Sequence, residues 1–364
     1  MGPSSTKQIG TSAGWEPSAV AKCATRAWLM LRRSSASIRA MSYIIAWMAL
    51  LLREADVRAL VDINDGLKAL DSAFRESAAG QARNQPRRRV GDTGTTLAIM
   101  SAALPSRNLV GYKAYTAGRG GARFWVHLFD AGDGRLLAVI EADWLGALRT
   151  GAVSGLATGA LARPDASTLT LFGAGHQALP QALAVAAVRP LSEIRLVNRD
   201  PLRRASLAGE LRRSLPAVKV VEASSAQEAV AGADIITTIT SARTPLFSGS
   251  WIEAGQHLNA AGSNMPGRRE LDSRAIGRAD LLVVDDLEAA RLEAGDLLLA
   301  EQEGALAWSS VHPLADLIAG PLRRSLASDV TLFKSVGLAL EDVALGAVVL
   351  ERAKDRGLGV TIDL

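Results

Sequence analysis

The sequence is poor in the residues that build disulfides and metal sites. A single cysteine, Cys23, excludes internal disulfides and a cysteine-based zinc site. The four histidines are His127, His176, His257 and His312. They show no ligand spacing, so we expect no metal, and no Ser-His-Asp arrangement is visible.

Long apolar runs and an evenly spread basic charge are also missing. No run reaches the roughly 18 apolar residues of a membrane span, and the longest candidate, residues 41–52, is too short. The net charge is +4. Residues 1–53 hold seven Lys or Arg and one acid, a net charge of +6, so the other 311 residues sum to −2. The body has no nucleic-acid footprint. We expect a cytoplasmic protein with neither a nucleic acid nor a membrane as partner.

Residues 1–47 form a Ser/Arg-rich, acid-poor leader that we leave out of the fold prediction. We expect this leader either to be disordered or to result from a wrongly placed start codon. The favoured interpretation is upstream sequence read from a start codon placed too early, with Met41 or Met48 as the true start. A transit-like segment is the alternative.

The first region after the leader reads as mixed α+β. Apolar spacing predicts helices within residues 54–81 and strands at 94–104 and 109–117. Residues 122–143 are typical of a hairpin with its turn at 131–134. The Ala/Gly-rich stretch 148–162 is helix-like.

After Pro164 the pattern changes to strand–helix alternation. Strands are predicted at 167–175, 192–200, 218–224, 234–240, 255–263 and 279–286, and helices at 177–188, 201–215 and 226–233. This spacing indicates an α/β fold with a Rossmann-type doubly wound parallel sheet. We predict a Rossmann domain at 153–337 and a second, α+β domain at 48–152 plus 338–364, to which a long amphipathic helix within 335–357 returns.

Gly173-x-Gly175 lies where the first of these strands meets its helix. The first glycine permits a tight turn, and the second lets the backbone approach a pyrophosphate at the helix N-terminus. Ala178 replaces the third glycine and is small enough for the helix–strand packing that this position serves. We interpret the motif as a dinucleotide-binding turn, with a merely structural turn as the alternative.

The end of the next strand bears on the choice of dinucleotide. Where a NAD site commonly carries an acid, the chain has Asn198 and Arg199. An arginine can pair with a 2′-phosphate, which favours NADP(H). Arg199 can also be an ordinary surface residue, and Asp200 keeps NAD(H) possible.

Three sets of cations interrupt otherwise apolar or strand-like segments. They are Lys113, Arg149 and the consecutive Arg87, Arg88 and Arg89. An unpaired charge is costly to bury, which makes these residues candidates for a site. Lys113 alternates with its neighbours, so facing water is the alternative.

Taken together, these residues resemble the ornithine cyclodeaminase/mu-crystallin family from about residue 50 to 364. Eight short motifs occur in order: PRRRV, GYKAYT, LRTGAVSGLA, GAGHQA, ADIITTIT, LNAAGSNMPGRRELD, EAGDLL and FKSVGLALEDVAL. The resemblance implies that the α+β domain binds an amino-acid-like substrate and forms a homodimer, while the Rossmann domain holds NAD(P).

The resemblance also implies site residues. Arg89 and Arg149 would hold the substrate carboxylate, Lys113 would be the active-site lysine, and Met100 and Val336 would contact the substrate. Besides the two turn glycines, Gly173 and Gly175, the nucleotide-contacting positions would be Arg149, His176, Gln177, Asn198, Arg199, Thr238, Arg268 and Ser335.

Asn264 departs from the family pattern. Authentic ornithine cyclodeaminases carry there an aspartate that resembles a base, and asparagine cannot take a proton from an ammonium group. We therefore expect first an NAD(P)H-dependent enzyme that reduces small cyclic imino acids or ketimines, or interconverts α-amino and α-imino acids, with Asn264 hydrogen-bonding the substrate. The alternatives are an ornithine cyclodeaminase and an NADPH-dependent small-ligand-binding protein of mu-crystallin type.

Overall fold

The computed structural model describes residues 48–363, and from Ala49 onward the chain forms one compact unit. The predicted leader, residues 1–47, lies outside the described residues. Among the helices that are described, none combines the length and the apolar character needed to cross a lipid bilayer.

The first sheet of the described chain has seven strands in the order β15-β1-β6-β5-β4-β3-β2. They are β1 (Met48–Leu52), β2 (Arg83–Gly91), β3 (Thr95–Leu104), β4 (Leu109–Gly118), β5 (Gly121–Asp130), β6 (Leu136–Glu141) and β15 (Val360–Asp363). Strands β2 to β6 form an antiparallel meander, and β1 pairs in parallel with β6. The predicted strands and hairpin of the first region are thereby confirmed.

The second sheet has eight strands in the order β13-β12-β14-β11-β10-β7-β8-β9, and its pairings are parallel. They are β7 (Thr168–Phe172), β8 (Glu193–Val197), β9 (Lys219–Glu222), β10 (Ile235–Thr238), β11 (His257–Ala260), β12 (Leu281–Val284), β13 (Val311–Pro313) and β14 (Thr331–Lys334). The chain runs from β7 outward to β9 and returns on the other side of β7 with β10. The strand order therefore reverses between β7 and β10, which confirms the doubly wound sheet.

The helices of the described residues flank these sheets. They are α1 (Glu54–Leu60), α2 (Ile63–Ala78), α3 (Asp143–Leu161), α4 (Ala178–Val188), α5 (Pro201–Ser214), α6 (Ala226–Val230), α7 (Ser273–Gly277), α8 (Leu287–Glu293), α9 (Gly295–Gln302), α10 (Leu314–Ala319) and α11 (Ala339–Arg356). Asp62 explains the break between α1 and α2, because its side chain accepts hydrogen bonds from the backbone N–H groups of Asn64 and Asp65 and so caps α2.

Helix α3 contacts strands of both sheets, and α11 packs on the first sheet. α3 packs against α2, α4, β5, β11 and β14. Gly151 permits the close approach of α3 to α4, since a Cβ there would lie 2.4 Å from the carbonyl oxygen of Pro180. α11 returns to pack on β3, β4 and β5, as predicted, although it begins at Ala339 and residues 335–338 form a loop. The domain limits at 152/153 and 337/338 stay a prediction.

Candidate active site

The turn between β7 and α4 has the geometry that its glycines indicate. Gly173 has φ +111°, and a Cβ there would lie 2.4 Å from the carbonyl oxygen of Ile239. A Cβ on Gly175 would meet no atom within 4 Å, so the backbone at this point is open to a ligand. Ala178 is fully buried as the first residue of α4, which matches the packing role of the third motif position.

A cleft of about 1220 Å³ lies beside this turn. The residues that follow β7, β8 and β10 line it, at the point where the strand order reverses, which is where doubly wound sheets bind nucleotides. Four predicted cofactor residues line the cleft: Gly173, Gly175, Asn198 and Arg199. Arg203 and Arg243 line it as well and were not predicted. The shape, the open backbone at Gly175 and these basic side chains fit a dinucleotide.

Asp200 has another task in the structure. Its Oδ1 accepts hydrogen bonds from the backbone N–H groups of Leu202 at 2.9 Å and Arg203 at 3.2 Å, so it caps α5. Asn198 reinforces this turn by donating from Nδ2 to the carbonyl oxygen of Asp200 at 3.0 Å. Arg199 is exposed at the cleft. The acid that kept NAD(H) possible therefore caps α5 through Oδ1, and it also lines the cleft.

Two predicted cofactor residues lie at the start of α4. Gln177 is the residue that precedes the helix and marks its N-terminus. The His176 ring faces the start of α3, with Nε2 at 3.3 Å from the carbonyl oxygen of Asp143 and the ring edge-on to Trp144. His176 lines a smaller cleft of about 320 Å³ on the other side of Gly175.

Three further predicted cofactor residues lie close to the strand ends. Thr238 is buried, and its Oγ1 donates to Glu270 Oε2 at 2.9 Å. Ser335 is buried too, and its Oγ donates to Asp285 Oδ2 at 3.0 Å. Arg268 is half-buried in the loop after β11. The two hydroxyl groups are thus bonded to buried carboxylates, and their contact with a cofactor remains a prediction.

A buried charged cluster joins the two predicted cations Lys113 and Arg149. Asp342 Oδ1 accepts from Lys113 Nζ at 2.8 Å and from Arg149 Nε at 3.2 Å, and Glu341 Oε2 accepts from Arg149 Nη1 at 2.7 Å. Lys113 comes from β4, Arg149 from α3, and both carboxylates from the first turn of α11. Neither acid was predicted from the sequence.

Lys113 points into the protein, which rules out the alternative that it faces water. It is 3% exposed and lies opposite Met100 of β3 and Val126 of β5, which are also buried. Gly146 leaves the space for the ammonium group, because a Cβ there would be 3.0 Å from Lys113 Nζ. Met100 therefore lies directly beside the lysine, and its contact with a substrate remains a prediction.

The electrostatics of the cluster follow from its burial. Burial lowers the pKa of Lys113 to about 8, since the charges of Arg149 and Arg87 add to this effect and Asp342 only partly opposes it. Burial likewise raises the pKa of Glu341 to about 8, although Arg149 acts in the opposite direction. Burial would lower the pKa of Arg149, but Asp342 and Glu341 outweigh it and raise the pKa. A lysine that titrates near neutral pH is suited to proton transfer.

Arg87 belongs to the arginine run that the sequence indicated, but only Arg89 of that run was assigned a role. It is 7% exposed, its charge acts on Lys113, and its Nη2 donates to the carbonyl oxygens of Val336 and Gly337, both at 3.2 Å. Both Arg87 and Arg89 contact Glu293. Three consecutive arginines gave no sign of which one points inward.

The loop 335–337 lies against the cluster, and hydrogen bonds to Asp285 fix the backbone of this loop. Asp285 Oδ2 accepts from the backbone N–H groups of Val336 and Gly337, both at 2.7 Å. Gly337 has φ +79°, and a Cβ on it would be 2.5 Å from Arg149 Nη1. Asn264 takes part through its backbone, because its carbonyl oxygen accepts from Arg89 Nη2 at 3.1 Å.

Several buried polar atoms of this cluster lack a hydrogen-bond partner within residues 48–363. They are one donor, Arg87 Nε, and two acceptors, Glu341 Oε1 and Asp342 Oδ2. Unsatisfied buried polar atoms are uncommon in folded proteins and call for an explanation. A ligand with both an acidic oxygen and an N–H group offers the complementary partners.

Comparison with known proteins identifies the family. The chain matches the ornithine cyclodeaminase/mu-crystallin family over residues 48–357. It belongs to that family. A Δ1-pyrroline-2-carboxylate reductase of Bacillus cereus is 35% identical over 325 residues, which cover 86% of this chain and 99% of the relative.

Two other relatives are also named as reductases. The ketimine reductase mu-crystallin of Rattus norvegicus is 37% identical over 226 residues, 62% of this chain and 68% of the relative. The solved structure of Thermococcus litoralis Δ1-pyrroline-2-carboxylate reductase, in complex with NADH and L-proline, superimposes with a TM-score of 0.83 at 30% identity and covers 86% of this chain and 100% of that one.

Proposed function

We propose that this family member is an NAD(P)H-dependent reductase of small cyclic imino acids, with Δ1-pyrroline-2-carboxylate as the first substrate to test. The observation that carries the proposal is the buried Lys113–Asp342–Arg149 cluster with its unsatisfied donor and acceptors. A cyclic imino acid supplies a carboxylate and a ring nitrogen that carries a proton, so it can satisfy both kinds of group. The names of the relatives support the same substrate class.

The cations divide between two tasks. Arg149 and Arg87 hold the substrate carboxylate, for which a planar guanidinium is geometrically suited, while Arg89 lies beside Arg87 on their shared partner Glu293. Once the iminium carbon has been reduced, the ring nitrogen has a free lone pair, and Lys113 donates a proton to it. When bound, a reduced nicotinamide supplies the hydride equivalent for the carbon atom.

The surrounding residues position these groups. Asp342 holds the Lys113 ammonium group in place. Met100 and Val336 border the substrate, and the side chain of Asn264 hydrogen-bonds it rather than acting as a base. Asp285 fixes the loop that carries Val336.

We further propose that the chain prefers NADP(H). Arg199, Arg203 and Arg243 line the nucleotide cleft, and Asp200 is engaged as a helix cap. Arginine side chains at this position favour the 2′-phosphate of NADP(H). A homodimer and a cytoplasmic location complete the proposal and remain to be tested.

The test is a substrate screen at saturating NADPH and at saturating NADH, followed by absorbance at 340 nm. We expect decay with Δ1-pyrroline-2-carboxylate or piperideine-2-carboxylate, formation of the cyclic amino acid, and a large loss of rate in Lys113→Met. No decay across cyclic and open-chain imines would refute the proposal. Dinucleotide binding without turnover would favour a binding protein, and proline plus ammonia from ornithine would favour a cyclodeaminase.

A further inference from the structure

Glu293, at the end of α8, is a buried carboxylate that two arginines share. Its Oε2 accepts from Arg87 Nη1, and its Oε1 accepts from Arg89 Nη1 at 3.1 Å. The side chains of Glu293 and Arg87 are each 3% exposed, whereas that of Arg89 is 25% exposed. A carboxylate this buried needs a cation beside it, and here it has two.

Arg87 and Arg89 are two residues apart and so share a face of β2, and a bulge in the strand sets which face that is. Gln85 pairs with Ser101 and Arg88 with Ile99, so two residues of β2, including Arg87, lie opposite one residue of β3. The extra residue shifts the alternation of side chains. Arg87 and Arg89 consequently both reach Glu293, although Arg87 is buried and Arg89 lies at the exposed rim, and Arg88 is exposed on the other face.

The two arginines differ in their remaining contacts. Arg87 bonds the carbonyl oxygens of Val336 and Gly337, and its Nε has no partner within the described chain. Arg89 instead donates to the carbonyl oxygen of Asn264 at 3.1 Å. Arg87 is therefore the arginine with a spare buried donor, and Arg89 is the more exposed of the two.

A substrate carboxylate that binds the spare Nε of Arg87 must share one positive charge with Glu293, which already holds Nη1 of the same guanidinium group. If Arg87 turned away, Glu293 would remain buried with a charge that needs compensation, which is unfavourable. Arg89 already contacts the other oxygen of Glu293 and can provide that compensation.

We propose that Glu293 is a built-in competitor of the substrate carboxylate and that Arg89 is the positioning residue that neutralises Glu293 while Arg87 binds a small monocarboxylate imino acid. The inference rests on the proposed function and assigns separate tasks to the two arginines. It predicts that the affinity for substrate depends on how the charge of Glu293 is shared between Arg87 and Arg89.

The experiment compares wild type with Arg89→Met, Glu293→Gln and the double variant in the NAD(P)H-supported reduction of Δ1-pyrroline-2-carboxylate. Arg89→Met should raise KM about tenfold, because Glu293 then holds Arg87 alone, and adding Glu293→Gln should bring KM back to within about threefold of wild type. Glu293→Gln alone should lower KM. The KM of the dinucleotide should change less than about twofold in all three variants.

A binding measurement makes the test independent of turnover. Calorimetry with pyrrole-2-carboxylate, on protein saturated with dinucleotide, should give dissociation constants in the same order as the KM values. Arg88→Met is the matched control, because Arg88 is the exposed neighbour on the same strand, and it should behave like wild type.

Two results would overturn the inference. A double variant that is folded but as weak as Arg89→Met would show that Arg89 itself holds the substrate. A rise in KM or dissociation constant in Glu293→Gln would show that Glu293 does not compete, and this variant decides the question if Arg89→Met fails to fold. Failure of the proposed function would be visible separately, in wild type that neither reduces nor binds any of these compounds.

Discussion

Removing the charge of Asp342 should move the pH dependence of the reaction. Asp342 is fully buried, and its Oδ1 lies 2.8 Å from Lys113 Nζ, so its charge favours the protonated lysine. In Asp342→Asn that support is lost while the burial of Lys113 and the nearby Arg149 remain. The pKa of Lys113 should therefore fall below its value of about 8.

The size of the shift follows from the contact. Two unit charges 2.8 Å apart interact by about 6 kcal/mol at an effective dielectric constant of 20, but charged hydrogen bonds contribute only about 1.5–3 kcal/mol net. The smaller range applies because the asparagine side chain still accepts a hydrogen bond. At about 1.4 kcal/mol per unit, the pKa of Lys113 should fall by about one to two units.

The assay is the pH profile of kcat/KM, which reports ionisations of the free enzyme. A step that needs protonated lysine is fast below the lysine pKa and slows as pH rises through it. The decline near pH 8 in wild type should accordingly move to about pH 6–7 in Asp342→Asn. Glu341→Gln is the matched comparison, since Glu341 contacts Arg149 and makes no hydrogen bond to Lys113; because the pKa of Glu341 is also about 8, the test compares the size of the shift in the two variants. A decline that stays in place in Asp342→Asn, or moves equally in Glu341→Gln, would refute the role of the Asp342–Lys113 pair.

Three further predictions concern backbone space and the nucleotide cleft. Gly337→Ala should displace Arg149, because its Cβ would lie 2.5 Å from Nη1 at φ +79°, and it should raise the KM of the imino acid at least tenfold, about 1.4 kcal/mol, with little change for the dinucleotide. Gly173→Ala should destabilise the fold by about 1–3 kcal/mol in urea denaturation, whereas Gly175→Ala, which has open space at its Cβ, should keep the stability and weaken dinucleotide binding. Arg199→Glu should weaken NADPH binding about tenfold more than NADH binding in fluorescence titrations, and equal effects would contradict the NADP(H) preference.

Much of the fold could be predicted because its signals are local. The strand β7, the glycine turn and the helix α4 follow one another within about twenty residues, and each has residues typical of its own kind of structure. The second sheet was incomplete in the prediction, which lacked β13 and β14, and β13 is only three residues long. Lys334 at the end of β14 added to the difficulty, since it is completely buried and paired with Asp296 at 2.9 Å.

The candidate site was harder to predict because its contacts join distant residues. Lys113 and Arg149 stood out as charges in apolar surroundings, but Glu293 and Asp342 lie in helices where an acid usually faces water. The choice among the three arginines of β2 depends on a one-residue bulge, which shifts which side chains point inward and leaves no clear mark in the sequence. The family resemblance assigned roles to Lys113, Arg89 and Arg149, and the structure shows that Arg87 is the buried arginine of the three in β2.

The position of α11 has a consequence for synthesis and for proteolysis. Lys113 and its partner Asp342 are separated by 229 residues, and the latter lies close to the end of the chain. A nascent chain that has emerged only as far as β12 would already carry the glycine turn of the nucleotide cleft and would still lack the carboxylate that orients the lysine. Clipping the protein before α11 should likewise leave a product that lacks this carboxylate, so the lysine is correctly oriented only in molecules that retain α11.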